Sequence, residues 1–189
     1  MKIRSSIRSL QDRGFTLVEL MVVVGIIGIL SAVAIPNFRK YQAKSKTTEA
    51  KLHLAAIYTA EQSFFADYDT YAVCLTDMGY DPTTESTTRY YATGFSSDVG
   101  NTTRTYAVAN GAACAAYASG FGWYPAGKTT GSGLALASAA TWLPAGAMAE
   151  TTFTVGAGGV VDKAYLAAAT CDKWTINNLK KVVHSKTGY

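Results

Sequence analysis

Residues 13–38 read Arg13-Gly14-Phe15-Thr16-Leu17-Val18-Glu19-Leu20 and then MVVVGIIGILSAVAIPNF, with Glu19 the single charge between Arg13 and Arg39. Taken as a helix rising about 1.5 Å per residue, positions 15–38 span roughly 36 Å, more than the ~30 Å hydrocarbon core of a bilayer. A buried core helix of a soluble domain is the competing reading, but an unbroken apolar run of this length is long for one. Flanking charge does not orient the span. Lys2, Arg4, Arg8 and Arg13 precede it, and Arg39, Lys40, Lys44, Lys46 and Lys51 follow it.

Two processing routes fit this text. In the first, the basic leader and apolar run form a secretory signal, and Ala32-Val33-Ala34 is a small-x-small cleavage site that releases a soluble protein beginning at Ile35. Glu19 counts against it, because a carboxylate within an apolar insertion core costs about 2.5–3.5 kcal/mol at the centre and less near an end. In the second, the segment from Gly14 through Pro36-Asn37-Phe38 resembles the type IV prepilins: a short basic leader ending in Gly, then Phe-Thr-Leu-x-Glu opening an apolar helix. Further likeness to type IVa-like pilins lies in FFADYDTYAV at 64–73 and GYDP at 79–82.

The resemblance implies that a membrane-embedded prepilin peptidase cuts between Gly14 and Phe15 and N-methylates Phe15. The leader then stays cytoplasmic and everything beyond Phe38 faces outward. Glycine suits the cleavage position because its bare backbone enters a tight protease cleft. Glu19 lies four residues, about 6 Å of helix, beyond the new amine. In the family its partner is that amine on a neighbouring subunit, which selects the axial stagger of assembly; the plainer alternative is snorkelling to nearby headgroups. Gly25, Gly28, Ser31 and Ala32 make a small-residue stripe that lets helices approach closely. Pro36 has no N–H, leaves the carbonyl of Ala32 without its helical donor, and predicts a kink or local opening.

Beyond Phe38 there is neither Gly nor Pro before Phe65, and Leu54, Ile57, Tyr58, Glu61 and Phe65 recur at helical spacing. The reading is one helix from Phe15 to about Ala66, its second half amphipathic, with Asp67-Tyr68-Asp69-Thr70 as the turn that ends it. Short strands are expected at 89–95, 104–108, 151–155 and 173–176, forming an antiparallel sheet packed on the helix. The Ala/Gly/Ser-rich stretch 112–146 reads as a long loop or irregular hairpin that must still house Phe121, Trp123, Tyr124 and Trp142. The fold class is α+β, pilin-like. Its parts are a cleaved leader (1–14), an apolar membrane and fibre-core helix (15–38), an amphipathic continuation (39–66) and a β-rich head (67–189).

Composition narrows the chemistry. Charged residues make up 16% of 189, and the net charge of +4 is too small to imply a nucleic-acid partner; DNA enters the reading only as a property of fibres. Two His and three Cys offer no repeated zinc framework, and no catalytic spacing is present. His53 and His184 read as solvated surface histidines. Asp67 and Asp69 read as turn capping rather than a Ca²⁺ loop, and Asn101-Thr102-Thr103 is a glycosylation sequon by pattern. No cofactor or metal is expected. Cys74, Cys114 and Cys171 all follow the span, and one disulfide with one free thiol is expected in an oxidising compartment. The three possible pairings have nearly equal loop entropies; family usage slightly favours a bridge involving Cys171.

The function implied is the structural subunit of a type IV pilus, a homopolymer serving adhesion or twitching motility. It would reside in the inner membrane before assembly and at the cell surface afterwards. Its partners would be the prepilin peptidase, the assembly platform with its ATPase, and minor pilins. The alternatives are a pseudopilin of a type II secretion system, which usually ends in an acidic Ca²⁺ loop rather than the basic 180–186 found here, or the soluble protein cleaved after Ala34. Charge is patterned along the chain. Residues 39–51 hold five basic and one acidic group, 52–162 three and nine, and 163–189 five and one.

Overall fold

The structure is a computed structural model that describes residues 14–72, 74–85, 88–96, 123–128, 142–149, 151–162 and 170–189. The chain divides into two compact units, Met1–Arg39 and Lys40–Tyr189. Helix α1 (Leu17–Tyr68) is 52 residues long, and its first half accounts for most of the first unit. The apolar side chains there are exposed around the whole circumference, from Leu17 at 74% through Ile26 at 53% to Phe38 at 67%. Among the described residues this is the one helix long and apolar enough to cross a membrane.

In the second unit α1 changes character. Ala43, Thr47, Ala50, Leu54, Ile57, Glu61 and Phe64 are buried, spaced alternately four and three residues apart along one face. They pack on an antiparallel sheet of β1 (Tyr91–Gly94), β2 (Trp123–Tyr124), β3 (Ala147–Ala149), β4 (Thr152–Gly159), β5 (Asp172–Asn177) and β6 (Val182–Lys186). The spatial order is β2-β1-β4-β5-β6, with β3 also paired to β4. Leu54 and Ile57 share a core with Tyr91, Phe95, Phe153, Val155, Ala157 and Ile176. Tyr71, just after the helix, stacks on Phe65 at 4.6 Å and meets Phe153 edge-on at 4.8 Å, which closes the end of that core.

Two glycines of β4 show how the sheet is finished. Gly159 sits between Tyr91 and Asp172 in the register. A Cβ there would lie 2.8 Å from the Tyr91 ring, so its absence lets that ring cross toward Asp172. On the opposite face a Cβ at Gly158 would lie 2.0 Å from the carbonyl oxygen of Trp142. The segment around buried Trp142, Leu143 and Pro144 therefore covers this side of the sheet.

The helix, the antiparallel sheet and their packing agree with the sequence reading, and the helix ends two residues later than expected. Three strands are additions. β2 and β3 rise from or beside the stretch read as a loop, and β6 from what looked like a basic tail. β4 runs on to Gly159 because its glycines are required by packing, where propensity alone would stop the strand. The expected strand at 104–108, the sequon at Asn101 and the leader at 1–13 lie outside the described residues.

Cysteine chemistry departs from the slight preference for a bridge through Cys171. Cys171 is buried and is not disulfide-bonded, and burial pushes its pKa up. Cys74 is disulfide-bonded, and of the chain's three cysteines Cys114 remains, outside the described residues. A peptide map under non-reducing conditions is expected to link Cys74 to Cys114, with Cys171 alkylated only after unfolding. A linked Cys171 peptide would contradict this.

Candidate functional site

The site is built on the start of α1. Gly14, Phe15 and Thr16 are outside the helix, and Phe15 is 83% exposed. Thr16 is the N-cap: its Oγ1 accepts from the backbone N–H of Glu19 at 3.2 Å, and its carbonyl accepts from Leu20 N–H at 3.2 Å. Threonine followed three residues later by glutamate is the spacing of a capping box, so the helix is held to begin at Leu17. Glu19 thus occupies the first turn, where a carboxylate is favoured by the helix dipole.

Pro36 lies inside the helix, which continues on both sides of it. A Cβ added to Gly25 or Gly28 would meet nothing within 4 Å. Neither glycine is required by the isolated chain, so their small size is open to use by another helix. The structure places Gly14, Phe15 and Glu19 together at one helix end, with Gly25, Gly28 and Pro36 further along the same helix. The cysteines belong to the other unit.

Residues 10–35 match the family described as the prokaryotic N-terminal methylation motif. The chain is 57% identical over 72 residues to the type IV major pilin protein PilA of Myxococcus xanthus (strain DK1622), covering 38% of this chain and 33% of the relative. It is 54% identical over 49 residues to the type IV major alpha-pilin of Moraxella bovis, covering 26% and 31%. Against the type IV major fimbrial protein FimA of Dichelobacter nodosus the identity is 45% over 60 residues, covering 32% and 38%. The chain spans about a third of the length of each of these relatives.

Over this N-terminal stretch the chain is similar to type IV pilins. The second unit is organised by buried polar and ionisable groups that the sequence reading passed over. Asp172 is fully buried and accepts from Tyr91 Oη (2.5 Å), Trp174 Nε1 (2.5 Å), His184 Nε2 (2.6 Å) and Gly188 N (3.2 Å). His184 also stacks on Trp174 at 3.9 Å and 5°. It is a clasp between β5 and β6, which corrects the expectation of a solvated histidine.

His53 is corrected as well. It is buried, its Nδ1 is 3.0 Å from Tyr80 Oη, and burial with the nearby Arg89 lowers its pKa to about 4. Glu49 Oε1 accepts from the N–H groups of both Tyr90 (2.7 Å) and Tyr91 (3.0 Å), tying the helix to the start of β1. A signal for Glu49 was available: it is the one acidic residue in the basic stretch 39–51. Asp69 sits at φ 59° with its N–H on the Phe65 carbonyl at 2.9 Å, consistent with the turn reading. Among the described residues no group of three or more His, Cys, Asp or Glu is placed to hold a metal ion.

Glu61 produces a pH dependence. Its Oε2 accepts from Ala72 N–H at 3.1 Å while Oε1 has no partner among the described residues. Burial pushes its pKa up to about 8 from about 4.5. The native state therefore holds a proton that the unfolded chain releases above about pH 4.5. This contribution is fully present below about pH 4.5 and is lost as pH rises to about 8, by up to ~1.4 kcal/mol per unit. Glu61→Gln is expected to raise the melting temperature most at pH 8 and little at pH 4.5. An unchanged difference across that range would contradict the assignment.

Proposed function

We propose that this chain is a type IV pilin, the structural subunit of an extracellular fibre, polymerising through the first half of α1. The observation that carries this reading is an apolar helix exposed on every side and interrupted by one charge, Glu19. Such a surface needs lipid or other helices around it, and a pilin has both in turn. The relatives named above are major pilins or fimbrial proteins, which supports the same role here.

On this reading residues 1–14 are a leader removed by a prepilin peptidase after Gly14, and Phe15 becomes the N-methylated terminus. Residues 15–38 hold the subunit in the inner membrane and then form the fibre core. Residues 39–66 and 67–189 form the outward-facing head. Glu19 pairs with the Phe15 ammonium of a neighbour, Gly25 and Gly28 allow close helix packing, and Pro36 gives a point of local opening. The assembly platform and minor pilins are the remaining partners, and adhesion or twitching motility is the use of the fibre. The test is deletion of the gene followed by imaging of the cell surface. Loss of fibres, restored by the intact gene, is expected; unchanged fibres with a secretion defect would place the chain in a secretion apparatus instead.

A further inference from the structure

Two turns of the head each hold one residue at φ 59° and carry opposite charge. The first joins β5 to β6. Asn177 Oδ1 accepts from the N–H groups of Leu179 (3.2 Å) and Lys181 (2.9 Å), and the Asn177 carbonyl accepts from Lys180 N–H at 2.9 Å. Lys180 takes the left-handed conformation at φ 59°. This fixed turn projects Leu179, 79% exposed, with Lys180 and Lys181 exposed beside it. Val182 and Val183 of the edge strand β6 continue the apolar surface at 43% and 39% exposure.

The second turn ends α1. Asp69, also at φ 59°, is held by its N–H to the Phe65 carbonyl. Tyr68 is 56% exposed and stacks on buried Phe64 at 4.5 Å, which fixes the ring's position. Asp67 and Asp69 flank it, both exposed. Lys181, Asp67 and Asp69 take part in no salt bridge among the described residues. Lys180 lies over the Tyr58 ring at 5.6 Å and takes part in no salt bridge among the described residues.

We propose that the Leu179-Lys180-Lys181 turn of one subunit docks on the Asp67-Tyr68-Asp69 turn of a second copy, leucine on the tyrosine ring and ammonium groups on carboxylates. The inference rests on the fibre reading and adds to it a contact between heads. Its occupant is a second copy because the complementary pattern, basic-apolar against acidic-aromatic, is carried by the same chain. Both turns are preorganised, so little ordering entropy is lost on contact. The two surfaces differ, so the contact is heterologous: each copy keeps one turn free, and the array stays open-ended as a filament requires.

Asp69 and Lys180 sit at positive φ, so the test uses Asp67 and Lys181, where a substitution adds no backbone strain. Full-length Lys181→Glu, Asp67→Lys and the combined Lys181→Glu/Asp67→Lys chains are compared with wild type for sheared fibre yield against the membrane pool. Each single reversal places like charges together and is expected to cut yield about fivefold or more; the combined exchange is expected to restore it to within about twofold. Wild-type yield in the single variants, or no recovery in the exchange, overturns the contact. Absence of wild-type fibres would instead overturn the fibre reading itself. In Asp67→Cys/Lys181→Cys fibres, oxidation is expected to give a ladder of cross-linked oligomers. Monomers alone, or a series stopping at dimers, would rule out a heterologous chain of these contacts.

Discussion

Glu19→Ala is expected to insert in the membrane and be cleaved after Gly14, yet to reduce surface fibres by about tenfold or more. Insertion becomes easier, because the variant no longer carries a carboxylate into an apolar environment at a cost of up to about 3 kcal/mol. The helix start survives, because the capping contact from Thr16 Oγ1 goes to the backbone N–H of residue 19 and not to its side chain. Assembly suffers. In the fibre the Phe15 ammonium of each subunit would be withdrawn from water, and a buried charge that loses its partner is destabilised by about 3–5 kcal/mol. The measurement is sheared fibre against membrane-pool subunit by immunoblot. Normal fibre yield would contradict the role given to Glu19.

Asp172→Ala is expected to destabilise the head by about 3–5 kcal/mol, a large part of the ~5–15 kcal/mol that holds a domain together. The carboxylate is the common acceptor for a phenol, an indole, an imidazole and a backbone N–H from β1, β5, β6 and the chain end. Its removal leaves the Tyr91 hydroxyl and the Trp174 N–H buried without acceptors, at about 1–3 kcal/mol each. Burial and the neighbouring Asp172 push the Tyr91 phenol well up, so it remains a donor at any working pH. Asp172→Asn is expected to cost nearly as much, because its amide turns two donors toward groups that also donate. For a domain of this size the alanine variant should melt about 10 °C lower or more, read by tryptophan fluorescence of the solubilised full chain. A shift within about 2 °C would contradict this account.

The helix was legible from end to end. Its apolar run, the absence of Gly and Pro between Phe38 and Phe65, and the Asp67–Thr70 turn are all local signals, and local hydrogen bonding forms helices. The N-terminal motif is equally local, since Gly14, Phe15 and Glu19 lie within six residues of one another, and the roles given to them belong to the proposal. The sheet was legible only where β-branched and aromatic residues cluster, at 91–94, 152–155 and 172–177. What escaped depends on long-range contact. β6 reads as a basic tail until Asp172 is seen to hold His184 and Gly188. The glycines of β4 read as a strand end until the Trp142 carbonyl is found against one and the Tyr91 ring against another. The burial of His53 and the contacts of His184 carry no sequence sign, because their partners lie in distant segments or across the sheet. The chain-wide charge of +4 misleads in the same way. Local blocks of opposite sign matter more than the sum, and two of those blocks supply the paired turns proposed as a contact between heads.

The central claim is that α1 begins at a processed N-terminus and builds a fibre. Mass analysis of the N-terminal peptide from sheared surface material tests it most directly. The account predicts N-methylated Phe15 as the first residue, with Glu19 retained five positions into the mature chain. A mature protein beginning at Ile35 would contradict it, since no membrane-spanning helix and no Glu19 would then remain to assemble a fibre.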